Sequence, residues 1–241
     1  MRKFTVLAVI SFALASCKKD SASNCTLYQT SYKDIPTSTS TYEFDDQGRL
    51  KAVTESGNNA RQEYNYYKDS VVVTVGGTRT TYYLNSNGLA NSAIITFNPN
   101  PDGLGFNNTY TYNSEGYLTE SQEIFKQNHN GVTLRDTGNT RFTYENGNLI
   151  KAIYAWGGPV EIHYEYTTIE AVHSFFQPGL QETGSFLGKR SKNLLSQTKD
   201  QAGNILSTYS YEFDSNGNVT KRIETEQNGT KTEILFTHRC H

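Results

Sequence analysis

Apolar and polar residues alternate along most of the chain with a period of two. Residues 70–75, 93–97 and 233–236 are runs rich in β-branched and other apolar residues. Successive side chains of a strand point to opposite faces, and β-branched and aromatic residues favour strands. Outside the first residues, the spacing of an amphipathic helix is nearly absent, and only residues 186–195 could hold a helical turn. The pattern therefore predicts an all-β protein.

One short phrase recurs: two aromatic residues at i and i+2, then an Asp or Asn, then a Gly. The clear copies are residues 42–50, 82–90, 110–118, 142–149 and 211–219, with copies that lack the Gly at 64–66 and 164–166. The Asp or Asn side chain accepts backbone N–H groups in a turn, and the Gly adopts a left-handed backbone. Each copy predicts a hairpin on a type I turn with a Gly bulge, and the shorter copy predicts a two-residue turn at Asn146-Gly147.

The spacing of the copies predicts the architecture. Gly48 and Gly88 are 40 residues apart with a degenerate copy midway, so the unit is about twenty residues, or two strands and two turns. This gives roughly 14 or more antiparallel strands, and a sheet of that size curls or closes because its twist accumulates. We expect an antiparallel meander of hairpins that forms a strongly curved sheet or barrel-like shell.

The aromatic residues of the copies are expected in the core of this shell. The set is Tyr42, Phe44, Tyr110, Tyr112, Tyr211 and Phe213. Loops are expected at residues 98–108, 127–139 and 177–181 from their composition. A membrane-spanning barrel is not expected, because it needs strands of about 9–11 residues and an outward apolar band, and the strands predicted here are shorter.

The first seventeen residues predict a membrane anchor. Two cations precede an apolar run at 4–13 that is too short to cross a bilayer. The run ends in Leu-Ala-Ser-Cys, which resembles a bacterial lipobox in which Cys17 is diacylated; an ordinary secretory leader is the alternative. The division is then a signal peptide at 1–16, a tether at 17–24 and one β-repeat domain at 25–241. The residue after Cys17 is Lys18 rather than Asp, and by the same resemblance this implies that the protein is released to the outer membrane. Which face of that membrane it occupies is left open.

Composition narrows the function classes. The chain has 17 Tyr and 12 Phe, enough for a core although 35% of its residues are hydrophobic, and a disordered chain would lack such rings. The net charge of −2 argues against a non-specific nucleic-acid binder, which needs a basic face. The expected partners are the membrane, through the lipid, and a glycan or an envelope protein.

Two cysteines remain after lipidation of Cys17. Cys25 and Cys240 lie near opposite ends of the chain, and in an oxidising compartment such a pair predicts a disulfide. Free thiols are one alternative. A metal site formed by Cys240 with His238 and His241 is another, although His-Arg-Cys-His is a poor ligand spacing.

Catalytic motifs are not found. The chain has no His-Glu-x-x-His and no Gly-x-Ser-x-Gly motif, and residues 45–48 lack the Glu of a calcium loop, so they are read as a turn. No catalytic, metal or cofactor residue is therefore assigned. Trp156 beside Tyr154 would suit stacking on a sugar or a partner, or would plug the core at a bend.

The recurring phrase resembles the tyrosine-aspartate (YD or RHS) repeats of bacterial surface and toxin-shell proteins. Together with the lipobox and the Gly-Lys-Arg-Ser-Lys-Asn stretch at 188–193, it resembles a family of uncharacterised Bacteroidetes lipoproteins described as a domain of unknown function. That resemblance implies a porin-like fold and no assigned activity. The function hypotheses are a non-enzymatic binding or scaffold lipoprotein of the envelope, a polysaccharide-binding accessory lipoprotein, and a hydrolase.

Overall fold

The computed structural model describes residues 25–57, 59–97, 104–129, 132–155, 157–171 and 185–240. The predicted leader and tether, with Cys17, lie outside the described residues, and so does Trp156. Within them are sixteen strands and one 3-10 turn at Ser185–Leu187. The strands are β1 Cys25–Tyr32, β2 Ile35–Phe44, β3 Leu50–Glu55, β4 Ala60–Tyr66, β5 Ser70–Val75, β6 Thr78–Leu84, β7 Ala90–Phe97, β8 Gly105–Tyr112, β9 Leu118–His129, β10 Val132–Glu145, β11 Asn148–Ala155, β12 Pro159–Glu170, β13 Asn193–Asp200, β14 Ile205–Phe213, β15 Val219–Glu226 and β16 Lys231–Cys240.

Every strand pairs antiparallel with its neighbours in the chain, and β1 also pairs with β16, so the sheet closes into a barrel. The predicted all-β meander is confirmed, in its closed form. We call the end that holds the first residue of β1 and the last of β16 the base. The turns that follow even-numbered strands are also at the base, and the turns that follow odd-numbered strands form the opposite end, the rim.

The hairpins of the repeat have the predicted turn chemistry. The Asp45 carboxylate accepts hydrogen bonds from the backbone N–H groups of Gln47 (3.0 Å) and Arg49 (2.9 Å), and Gly48 has φ +72°. Asn85, Asn113 and Asp214 accept in the same way at their own turns. The two-residue turn of the shorter copy is confirmed too, because Asn146 and Gly147 both have positive φ (50° and 81°).

The inner face of the barrel carries two apolar clusters. The first lies mainly on β1 to β7 and the second on β9 to β13, and Tyr110 of β8 packs against both. The prediction that the repeat aromatics are core residues is confirmed for Tyr42, which is 3% exposed, and for the partly buried Phe44 and Tyr112. It is wrong for Phe213, which is 38% exposed, because this last residue of β14 lies at the base and packs in neither apolar cluster.

The outer face carries several ion pairs. Arg61 contacts Glu43 at 2.6 Å, and Lys221 pairs with Glu212. Exposed pairs of this kind each contribute at most about 1 kcal/mol to stability. Their importance lies in solvation, since ionic side chains on an outer wall favour water over hydrocarbon.

Two expectations about segments are wrong. Residues 127–139 are not a loop, because β9 and β10 continue through most of them and pair Gln127 with Leu134 and Gln122 with Asn139. Residues 105–108 likewise belong to β8. The strands are also longer than expected, up to 14 residues in β10. These strands escaped prediction because polar side chains and glycines occupy both of their faces, which removes the apolar alternation.

The seam between β1 and β16 places the two predicted disulfide partners opposite each other. Cys25 pairs with Cys240 in the register of the ladder, and the Cys25 side chain is 3% exposed. A bond between directly opposed positions would join the first strand to the last at the base. The pairing predicted from the cysteine count is therefore compatible with the backbone.

We predict that Cys240→Ser destabilises the barrel by up to about 5 kcal/mol, because a covalent link across so long a loop restricts the unfolded chain. The unfolding midpoint in urea, measured with and without reductant, checks this. Reductant should destabilise the wild type and leave the variant unchanged. Alkylation of both cysteines in denaturant without reductant would contradict the bridge.

Candidate functional site

The predicted site residues do not assemble into one site. Tyr154 lies near the rim end of β11, half-buried on the inner face, and its hydroxyl is 3.2 Å from that of Tyr164. Its predicted partner Trp156 is outside the described residues, so a stacking role for the pair stays a prediction. Cys25 and Cys240 are brought together only at the seam. The described residues contain no group of three side chains suited to a metal ion.

The most elaborate local arrangement is a segment that crosses the base between β12 and β13. We call residues 185–193 the base strap. Its backbone is bound to two hairpin turns: the Lys189 N–H donates to the Gly116 carbonyl and the Lys192 N–H to the Gly147 carbonyl, both at 2.9 Å. The strap therefore joins the tips of the β8–β9 and β10–β11 hairpins.

The first part of the strap fills the barrel at the base. Phe186 and Leu187 are 4% and 6% exposed and belong to the first apolar cluster. The Phe186 ring centroid lies 4.8 Å from that of Tyr82 and 6.5 Å from that of Tyr66. Rings at these separations attract each other beyond simple burial. The turn expected within 186–195 is present as a single 3-10 turn, and its apolar residues plug one end of the barrel.

The second part of the strap is held by side-chain hydrogen bonds. Ser191 Oγ accepts from the Leu149 N–H and bonds the Tyr166 hydroxyl, both at 3.0 Å. Asn148 and Asn193 bond reciprocally, because the Asn193 N–H donates to Asn148 Oδ1 (2.9 Å) and Asn148 Nδ2 donates to Asn193 Oδ1 (3.0 Å). Polar strap residues thus satisfy groups at the start of β11 that the ladder leaves open.

Gly188 is required where the strap passes over the wall. Its φ is +100°, and a Cβ there would be 2.9 Å from the Gly116 carbonyl oxygen and 3.0 Å from the Tyr112 ring. Both the backbone conformation and the close approach exclude a side chain. The Gly-Lys-Arg-Ser-Lys-Asn stretch was the sequence signal for this arrangement, but nothing local in it identified its partners.

Tyrosines of the inner wall bond backbone carbonyls near the base. The hydroxyls of Tyr66, Tyr112 and Tyr211 donate to the carbonyls of Leu50, Ala90 and Leu195 at 2.8–2.9 Å. In each case the acceptor is at or near the start of the neighbouring strand. The rings fill the interior while the hydroxyls satisfy carbonyls, which explains why tyrosine rather than phenylalanine occupies these positions.

Burial raises the pKa of three other tyrosines on the inner wall. Burial raises the pKa of Tyr166 to about 12. Burial, followed by the charge of Glu224, raises the pKa of Tyr209 to about 12, and the Tyr209 hydroxyl donates to Glu224 Oε1 at 3.0 Å. The pKa of Tyr164 is raised by burial and then by its hydrogen bond with Tyr154. Tyr164, Tyr166 and Tyr209 therefore stay uncharged to a higher pH than an ordinary tyrosine.

Near the rim, the inner face carries a separate group of aromatic rings. Three rings there, Phe97 on β7, Phe106 on β8 and Phe125 on β9, are half-buried and lie outside both apolar clusters. Their ring centroids are 6.1 Å apart for Phe97 and Phe106 and 5.1 Å for Phe106 and Phe125. We call these three residues the rim aromatic cluster.

These features define a class: a closed, antiparallel sixteen-stranded barrel, in the described residues, with a charged outer wall and a base crossed by its own chain. Two solved structures share the fold. A porin-like protein from Bacteroides uniformis ATCC 8492 is 18% identical, with 91% of this chain and 98% of that chain covered and a TM-score of 0.69. A porin-like protein from Bacteroides vulgatus ATCC 8482 is 10% identical over 88% of this chain and 98% of that chain, with a TM-score of 0.61.

These similarities confirm the porin-like fold that the family resemblance implied, and at such identities they establish the fold alone. No protein-family model matches the chain, and no curated protein matches it significantly. The lipobox and the YD-like nature of the repeat remain sequence-based predictions.

We predict that Gly188→Ala lowers the free energy of unfolding by roughly 3 kcal/mol, from backbone strain and the close approach to Gly116. Gly203→Ala is the matched control, because Gly203 also has positive φ (+86°) but no heavy atom lies within 4 Å of the position that a Cβ would take. This control should lower the free energy of unfolding by about 1 kcal/mol. Urea unfolding curves compare the two. Equal losses would show that the strap contact is unimportant.

We predict that the barrel loses stability as pH rises from about 10 to about 12. Tyr166 and Tyr209 have raised pKa values when folded. The stability that their neutral forms contribute is therefore complete below the unfolded pKa of about 10, and it is lost as the pH rises through the folded pKa. Urea midpoints across this range, with tyrosinate absorbance, measure it. Tyr209→Phe should make the midpoint fall less steeply, whereas an unchanged slope would count against the assignment.

Proposed function

We propose that this protein is a lipid-anchored cell-envelope protein that acts as a non-enzymatic binding or scaffold module. The observation that carries the proposal is the closed base. Phe186 and Leu187 plug the barrel interior, and the strap is bound across two hairpin tips. A barrel sealed at one end by its own core does not offer the water-filled passage of a conducting pore.

The outer wall supports a position in water. Side chains that face outward include the ion pairs Arg61–Glu43, Lys151–Glu161 and Lys199–Glu165. A charged residue facing lipid at the bilayer midplane costs about 2–4 kcal/mol in such barrels, so this wall fits an aqueous compartment. In the described residues, no helix is long and apolar enough to cross a membrane.

The anchor sets the orientation of the barrel. Cys17 precedes Cys25 by eight residues, and a fully extended chain of that length reaches at most about 28 Å. Cys25 begins β1 at the base. The base therefore faces the membrane in this proposal, and the rim points away from it. A Cys25–Cys240 disulfide would brace the end nearest the anchor.

Among the described residues, no observation favours the glycan-binding alternative over this proposal. The glycan-binding alternative requires a row of exposed aromatic rings on one face of the sheet. The exposed aromatic side chains Tyr32, Tyr67, Tyr83 and Phe213 lie on different strands and turns. Tyr154, which the sequence suggested for stacking, faces inward against Tyr164.

We predict that Cys17→Ala abolishes fatty-acid labelling and moves the protein from the detergent phase to the aqueous phase in a detergent phase partition. The reason is that the acyl chains supply the membrane affinity, at about 0.8 kcal/mol per buried CH₂. Metabolic labelling and partition of the full-length protein measure both effects. Cys25→Ala is the control and should keep the label.

A labelled Cys17→Ala variant would falsify the anchor. Wild-type protein that stays aqueous would contradict it as well. The closed base is tested separately in planar bilayers, where the purified protein should produce no single-channel conductance, and stepwise conductance would overturn the sealed-barrel proposal.

A further inference from the structure

The rim aromatic cluster is an apolar surface on the inner wall. Register places Ile95 opposite Phe106, and Phe106 opposite Phe125, so the side chains share the inward face of β7 to β9. The core residues nearer the base are buried, as Ala93 is on the same face of β7, whereas the three rings remain half-exposed. A patch of exposed apolar rings on a concave wall is a candidate ligand-binding surface.

The charge of the inner face differs from that of the outer face. Register places six carboxylate residues on inward positions: Glu55, Glu123, Asp136, Asp200, Glu224 and Glu226. Within the described strand residues, Arg222 is the one inward cation, opposite Tyr211. The outer wall, by contrast, pairs its acids with lysine and arginine. The interior toward the rim therefore has an excess of negative charge.

Two of these carboxylates border the rim aromatic cluster directly. Asp136 is opposite Phe125 in the ladder, and Glu123 is two residues before Phe125 on the same face. Glu123 is opposite Gly138, which has no side chain to cover it. Asp136 Oδ1 accepts a hydrogen bond from the Thr137 N–H at 2.8 Å, and Asp200 accepts hydrogen bonds from Asn204 in its own turn.

We propose that the rim aromatic cluster, with Glu123 and Asp136, binds a small amphipathic cation: an aromatic or other apolar group that carries an amine. The apolar part packs on Phe106 and Phe125. The ammonium is attracted by the two carboxylates and by the ring faces. This deepens the proposed function, because it names the ligand class of a binding module whose rim points away from the membrane.

Charge complementarity selects this occupant. An apolar anion would be repelled by Glu123 and Asp136, since like charges in a partly desolvated site are unfavourable. A neutral sugar would leave the carboxylates without compensation and would stack on phenylalanine without hydrogen bonds from the rings. An amine without an apolar part would forgo the burial that the three rings offer.

Three probes separate these contributions by isothermal titration calorimetry on the full-length chain carrying Cys17→Ala, which removes the need for detergent. Tryptamine supplies ring and charge, indoleacetate supplies the ring with the opposite charge, and ethylamine supplies the charge alone. We expect saturable one-to-one binding of tryptamine, and binding at least about tenfold weaker for the other two. Equal binding of tryptamine and indoleacetate, or no saturable binding, would overturn the proposal.

Matched variants locate the site. Glu123→Gln and Phe125→Ala should each weaken tryptamine binding about tenfold. Glu120→Gln and Ile124→Ala are the controls, because both residues lie on β9 with outward register, opposite Thr111 and Asn107. If Phe125→Ala alters the fold by circular dichroism, the near-isosteric Glu123→Gln decides alone. Equal effects of inward and outward variants would place the binding elsewhere and refute the site.

The calorimetric test of the ligand and the test of the lipid anchor at Cys17 can fail independently. Absence of tryptamine binding would remove the ligand class and leave the phase-partition result for Cys17 untouched. Loss of lipidation would remove the anchor and leave the calorimetry unchanged.

Discussion

Pairing of the first strand with the last is the contact on which the rest of this structure depends. The β1–β16 ladder removes both edges of the sheet, which an open sheet would leave able to pair with other chains. Closure also decides that one face of every strand looks inward. A ring of sixteen strands encloses more space than small aliphatic side chains can fill, so the wall supplies tyrosine and phenylalanine rings, and the chain itself crosses the base.

The local part of this fold was predictable from the sequence because its physics is local. The Asp45 and Gly48 pattern specifies a turn through hydrogen bonds that span four residues, and the alternation of Tyr42 and Phe44 specifies the inward face. The hairpin at 127–139 was not predictable in this way, since its pairing depends on the register of β9 with β10 rather than on apolar alternation.

The candidate sites required knowledge of the pairing. Lys189 and Gly116 are brought together only because the strap crosses the base, and no spacing along the chain indicates it. Phe97, Phe106 and Phe125 come from three successive strands, and only the ladder shows that they share a face. The cysteine count predicted a bond between Cys25 and Cys240, because pairing two residues needs no register, and the seam is compatible with that prediction.

The seam also fixes the order in which this protein can be completed. The residues of β16 are synthesised after those of the other fifteen described strands, and β1 cannot find its partner until then. Contacts between such distant parts of a chain form slowly. Until the ten residues of β16 are made, both β1 and β15 are unprotected edges. A product that stops before β16 therefore retains an open sheet edge and is a natural target for proteases and chaperones.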